Sequence, residues 1–265
     1  MSTVSLSSLD LGLAAFLVLI VAGLTYRLGS DQARPLVVAA LRTILQLMLI
    51  GVVLNVLFEF SRWYWVALTG LGMGLIAGYE VNARQKHPFK GWWGYGLGTL
   101  SLFVSTLCVL LLTLVVIVQP DPWYHPRYVI PLLGMLLGNS MTGIALALDR
   151  LTGGAWQQRD VIEARLMLGQ NWNQAINEIR GEALRSGLMP IINAMAAAGV
   201  VSLPGMMTGQ ILAGAPPMEA VKYQILILFL ITAVSGVGVI IATRMGSRRL
   251  FDPRERLVLE RLKAK

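Results

Sequence analysis

Seven apolar runs, at 11–26, 35–58, 63–79, 91–118, 128–148, 188–203 and 221–243, decide what this chain can fold into. Crossing the ~30 Å hydrocarbon core of a bilayer takes about 20 helical residues, and a helix satisfies its own backbone polar groups in lipid. The first, third and sixth runs are short and need flanking residues to complete them. Of the residues 55% are hydrophobic and 14% charged, whereas a soluble domain carries roughly a quarter charged; a soluble globular fold is thereby excluded. The expected architecture is all-α: a polytopic membrane protein of about seven transmembrane helices forming a single domain over residues 1–265.

The net charge of +8 is sorted by loop, as membrane topology requires, and is not gathered into a face for nucleic acid. With the N-terminus outside, the inner segments hold Arg27 and Arg34; Arg84, Lys86 and Lys90; Arg150, Arg159, Arg165, Arg180 and Arg185; and the eight Lys and Arg from Arg244 to Lys265. The outer segments hold Arg62, Arg127 and Lys222, and Arg42 falls within a span. Eighteen inner against three outer cations predict an N-out, C-in orientation. Attraction to anionic lipid of the inner leaflet is a secondary consequence. No Lys or Arg precedes the first run, so a cleavable signal peptide is not expected. Cys108 is the single cysteine and lies in the fourth run, which excludes an intrachain disulfide and any zinc or iron–sulfur spacing.

The link 59–62 is short enough to fold the second and third runs into an antiparallel hairpin. Glycines four residues apart, Gly74 with Gly78, Gly94 with Gly98, Gly134 with Gly138 and Gly205 with Gly209, permit close helix approach in lipid. No internal repeat is visible, and an odd number of spans does not fit a simple duplication. Between the fifth and sixth runs lies a charged segment, 149–187. Within it Val161, Ala164, Leu168, Trp172, Ala175, Ile179 and Ala183 recur at three- or four-residue intervals, the pattern of an amphipathic helix lying on a membrane surface. Gly169 interrupts the pattern where a bend needs positive φ. Farther on, Pro204-Gly205 breaks a helix and Pro216-Pro217 ends whatever follows, so residues 204–217 form either a re-entrant gate or an external loop.

Four stretches carry a family resemblance: Arg42-Thr43-Ile44-Leu45-Gln46-Leu47; the run from Pro131 through Gly134, Gly138 and Asn139 to Met141; Glu163-Ala164-Arg165 with Leu168-Gly169; and Ser202-Leu203-Pro204-Gly205-Met206-Met207-Thr208-Gly209-Gln210-Ile211-Leu212. Together they resemble the Fet-type bacterial iron-export permeases, to which plant aluminium-sensitivity permeases are related. The likeness extends from about Leu9 to Pro253. It implies an ABC-transporter permease in the bacterial inner membrane, working as a homodimer with a separate cytosolic ATPase that carries ATP and magnesium. No cofactor is expected on this chain. In ABC permeases a Glu-Ala-Ala-x-x-x-Gly run forms the coupling helix that docks on the ATPase, and Glu163, Ala164, Arg165 and Gly169 resemble it. Nine residues separate Gly169 from Ile179, as in that motif, but Arg180-Gly181-Glu182 replaces its x-Leu-Pro. The cargo implied is iron or another metal; the alternatives are an organic substrate such as a nucleotide sugar, or a gradient-driven carrier.

The chain has no Gly-Lys dipeptide and so no phosphate-binding loop of an ATPase. Glu80 and Arg84 near His87 resemble part of an intramembrane CAAX-protease pattern, but the paired Glu and the membrane-embedded His of that site are missing, and an enzyme is not expected. Arg42 and Gln46, one turn apart, either line a pathway or place a snorkelling Arg near the inner surface. Asn139 in the fifth span bonds across helices or meets substrate. Met206 and Met207 bring soft thioethers and Gln210 an amide to the broken segment, so pathway and packing roles both stand. His87 and His125 have no ligand-spaced companion, and the metal ligands are not identified by sequence.

Overall fold

Ser7 and Asp10 open the first helix by exchanging hydrogen bonds. The Ser7 hydroxyl accepts from the Asp10 N–H at 3.3 Å and the Asp10 carboxylate accepts from the Ser7 N–H at 2.8 Å. From this cap the computed structural model, which describes residues 7–59 and 62–263, continues all-helical, with three isolated β-bridges and no strand among the described residues. Helices α1 (Ser8–Arg27) and α2 (Ala33–Glu59) pair across a turn in which Gly29 takes a φ of +68°. They belong to the first of two compact units, Met1–Arg62 with Leu212–Gly214; the second is Trp63–Ile211 with Ala215–Lys265. The link 59–62, expected to make a hairpin of the second and third runs, includes residues 60 and 61, which lie outside the described residues, as do residues 1–6 and 264–265.

The remaining elements are α3 (Trp63–Ala83), α4 (Trp92–Leu112) with a π-helical turn at Thr113–Val118, α5 (Pro126–Gln157), α6 (Arg159–Met167), α7 (Trp172–Ala175), α8 (Asn177–Ala197), α9 (Gly205–Leu212), α10 (Pro217–Arg249) and a 3-10 turn at Leu259–Arg261. Helix α5 is the centre of the second unit and packs on α3, α4, α8 and α10. Its inward side chains Leu136, Ile144, Leu148 and Leu151 are at most 1% exposed.

Lipid tails are as apolar as leucine, so helices associate in a membrane by close packing. Glycine supplies the closeness. A Cβ on Gly143 of α5 would lie 2.7 Å from the Gly187 carbonyl oxygen of α8, and one on Gly187 would lie 2.8 Å from the Gly143 oxygen. Of the expected four-residue pairs, Gly74 and Gly78 set α3 against Phe103 and Thr99 of α4, while Gly98 leaves room for Val81. Gly138, Gly205 and Gly209 have open space beside them and serve no tight seam.

Among the described residues five helices are long and apolar enough to cross a membrane: Leu9–Arg27, Ala33–Glu59, Trp92–Val118, Pro126–Gln157 and Pro217–Arg249. The third and sixth runs fall short for different reasons. Helix α3 has 21 residues, but Trp63, Tyr64, Trp65, four glycines and Glu80 dilute its apolarity. Helix α8 begins at Asn177, passes through Pro190 and ends at Ala197; Ala198 is then extended and Gly199 takes a φ of +81°. The first ten of the 16 residues in the run 188–203 are helix and the rest turn, so the chain breaks ahead of Pro204, the break point expected from the sequence. Helices α5 and α10, of 32 and 33 residues, are each about 48 Å long at 1.5 Å per residue and outrun the ~30 Å core.

Candidate functional site

The segment 149–187 is mostly helix. Residues 149–157 complete α5, residues 177–187 already belong to α8, and only the part between them reverses the chain. At the end of α6 the Gly169 N–H donates to the Leu166 carbonyl at 3.0 Å and the Gln170 N–H to the Arg165 carbonyl at 3.1 Å. Gly169 has a φ of +86°, the left-handed conformation glycine adopts without strain after a helix end. Asn171 then caps α7: its side-chain oxygen accepts from the Gln174 N–H at 2.9 Å, and the Gln174 oxygen accepts from the Asn171 N–H at 3.1 Å. The bend expected at Gly169 is present.

The apolar stripe expected through this region holds for only part of its length. Ala175, Ile179 and Ala183 are buried, and Trp172 is half-buried. Val161, Ala164 and Leu168 face outward instead, and Ile162, at 1% exposure, is the residue of α6 that packs inward. The Gly169 turn resets the helical phase, so one periodicity cannot run through α6 and α7. Met167 and Leu168 stand at the tip, 82% and 83% exposed.

Three ion pairs lie in this region, one of which ties α6 to α8. Arg165 reaches from α6 to Glu178 of α8 at 2.6 Å and donates to the Ala175 carbonyl at 3.4 Å. Arg150 of α5 pairs with Glu182 of α8 at 2.6 Å. Glu163 pairs with Arg159 at 2.8 Å on the outer side of the same short helix. Arg165 thus clasps the bend shut, whereas Glu163 presents charge.

The basic tail, read from its charge alone as an inner segment, is folded. After α10, the Asp252 carboxylate accepts from the N–H groups of Arg254 and Arg256 and from the Arg256 guanidinium, each at 2.8 Å. The Arg256 N–H is the main reason its carboxyl is held below the ordinary range. The turn so formed delivers Glu255, whose carboxylate accepts the Trp172 N–H at 3.1 Å. Phe251 packs on Trp172, ring centroids 6.1 Å apart. Farther along, the Lys90 N–H donates to the Arg261 carbonyl at 2.7 Å and the Lys263 N–H to the Pro88 carbonyl at 2.9 Å. His87 stacks on Trp156 at 4.9 Å. The start of α4 and the ends of α3, α5 and α10 therefore meet α6 to α8 at one end of the second unit. A groove of about 610 Å³ runs between the Gly169 turn (Met167, Gly169, Asn171) and the tail turn (Pro253, Glu255, Arg256). The apolar Phe251, Leu257 and Leu262, set among cations, were the signal for this tail.

The candidate pathway residues are scattered. Arg42 and Gln46 occupy exposed positions of α2 in the first unit. Asn139 on α5 is exposed and donates to the Met135 carbonyl at 2.8 Å. Met206, Met207 and Gln210 are half-buried on α9, and the side-chain oxygen of Gln210 has no hydrogen-bond partner. Among the described residues no three His, Cys, Asp or Glu side chains gather to hold a metal.

Comparison with known proteins places these features in a family. The UPF0014 membrane protein slr1647 of Synechocystis is 40% identical over 236 residues, 87% of this chain and 88% of that one. Protein ALUMINUM SENSITIVE 3 of Arabidopsis thaliana is 32% identical over 87% of this chain and 82% of its own. The "probable iron export permease protein FetB" of Escherichia coli is 28% identical over the full length of both. No solved structure matches the chain. The model of the uncharacterised protein family UPF0014 matches residues 8–251, and the chain belongs to that family of multi-pass membrane proteins.

Proposed function

We propose that this chain is the membrane subunit of an ABC-type exporter that moves iron or another metal ion out of the cytoplasm, driven by a separate ATPase. Residues 1–265 act as one permease domain with seven spans, N-out and C-in, α3 and α8 completing the set, and two copies work together in the bacterial inner membrane. The cargo follows from full-length similarity to the iron export permease. The observation that carries the coupling is the turn at Gly169: it projects Met167 and Leu168 almost fully exposed, on a helix whose base is fixed by the Arg165–Glu178 pair. A short, braced helix with an apolar tip can transmit a push; a flexible loop cannot. Such a tip fits a groove on a partner, as helix-in-groove recognition requires.

In sealed vesicles containing the chain and its ATPase, ATP should drive iron(II) movement away from the nucleotide side. Substituting Gly169→Val should abolish that movement together with co-purification of the ATPase. ATP-independent transport that follows a proton gradient would replace this reading with a secondary carrier, and wild-type transport by the variant would remove the coupling role.

A further inference from the structure

At the inner end of α10 a cavity of about 750 Å³ collects Arg244, Arg248, Arg249 and Arg261, and no carboxylate lines it. Among the described residues none of the four makes an ion pair. Such a gathering of guanidinium groups is self-repelling unless an anion sits among them.

Three of the four cations are held in place by the protein. Arg249 lies over the Trp93 ring at 4.5 Å and Arg248 over the Trp172 ring at 5.2 Å, contacts that orient a guanidinium without neutralising it. Arg261 is fixed by the carbonyls of Arg249 and Phe251 at 2.7 and 3.1 Å, which occupy one of its nitrogens and leave the others to bind. The Arg249 Nε is buried with no hydrogen-bond partner. A planar donor fork of this kind matches phosphate oxygens.

The cavity floor is apolar. Ile241 and Met245, four residues apart on α10, line it beside Arg244 and Arg248, also four apart. Its occupant is therefore amphiphilic, with chains along α10 and an anion at the rim. Tryptophans at the rim suit the headgroup level of a bilayer.

We infer that this cavity is a binding site for the phosphate of an anionic phospholipid, seated between the end of α10, the start of α4 and the folded tail. A bound headgroup would join Trp93, Trp172 and Arg261, so the lipid would brace the tail against α4 and against α7, which follows the Gly169 turn. Binding itself is independent of the transport reading; only the assignment to the cytoplasmic leaflet rests on the N-out, C-in orientation.

The test uses the full chain in detergent, with native mass spectrometry counting retained phosphatidylglycerol against phosphatidylcholine of the same acyl chains. The wild type should retain phosphatidylglycerol preferentially. Arg244→Gln with Arg248→Gln should weaken that preference by roughly 25-fold, about fivefold for each lost cation, while Arg254→Gln on the exposed tail turn leaves it intact. Unchanged helix content and melting temperature in phosphatidylcholine check that the variants are folded. Inorganic phosphate at millimolar concentration should fail to displace the lipid; full displacement would make the ligand a soluble phosphate and overturn the lipid assignment. Equal retention of the two lipids by the wild type, or the same loss in Arg254→Gln, would overturn the site. So would a doubly substituted chain that keeps its lipid preference but loses the ATPase, since the cavity would then be a protein-docking surface.

Discussion

Glu163 and Gly169 separate charge from shape at the proposed coupling turn. The Arg159–Glu163 pair is partly solvent-exposed on both sides, and exposed pairs contribute little to stability. Glu163→Lys should therefore change the melting temperature little while reducing ATPase association, read by co-purification and by transport. Gly169→Val meets no neighbour, so its effect is backbone strain at positive φ, on the order of 1–3 kcal/mol. That strain should open the turn and lower both complex yield and melting temperature. Arg165→Ala is the contrasting case: by releasing Glu178 and the Ala175 carbonyl it should loosen α6 and raise amide exchange across residues 159–175. If Arg165→Ala and Glu163→Lys behaved alike, the division between clasp and presented charge would be wrong. The glycine at the bend was legible because positive φ leaves a mark in residue type. The inward choice of Ile162 over Val161 was not, because it depends on a change of phase after the turn.

At the scale of elements, the tail turn carries the clearest dependence on pH. The folded-state pKa of Asp252 lies below its value in the unfolded chain, chiefly through the Arg256 N–H. Its ionised form therefore stabilises the docked tail. That contribution is complete above the ordinary carboxylate pKa of about 3.9 and fades as pH falls through the lower folded value. Limited proteolysis after Arg254 and Arg256 should thus be equally slow at pH 7 and at pH 5, and should accelerate only in more acid solution. Asp252→Ala removes the side-chain oxygen that accepts both backbone N–H groups and should expose the tail at neutral pH. Asp252→Asn keeps the oxygen that accepts from the N–H groups and should fall between. Release of the wild-type tail at pH 5 would assign its docking to other groups. Local periodicity could not foretell this element, since the Trp172 N–H and the Glu255 carboxylate are 83 residues apart in the chain. The same holds for the facing Gly143 and Gly187, while Gly74, Gly78 and Gly98 were legible because each has a four-residue partner in its own helix.

Across the whole molecule, length and charge together support the proposed N-out, C-in orientation. Helix α5 outruns the hydrocarbon core, and the end that carries α6 is the end where the tail, the 84–91 loop and the start of α8 converge. That end holds nearly all the cations of the second unit, from Arg84 to Lys263, and the transfer of such a cluster across a membrane is strongly disfavoured. Five of the apolar runs were legible as candidate spans because hydropathy is a local property. The sixth was read too long because Gly199, not Pro204, ends the helix. Orientation can be measured in a Cys108→Ser background with single cysteines at exposed positions: Lys86→Cys, Asp160→Cys and Glu260→Cys at the convergent end, and Met218→Cys at the start of α10. A membrane-impermeant maleimide applied to intact cells should modify Met218→Cys alone, and the other three should react only in inverted vesicles. Labelling of Asp160→Cys from outside would turn the molecule over, placing the coupling turn where no cytosolic ATPase could reach it. Labelling of Met218→Cys from the same side as Glu260→Cys would mean that α10 does not cross the membrane, and the count of seven would fall with it.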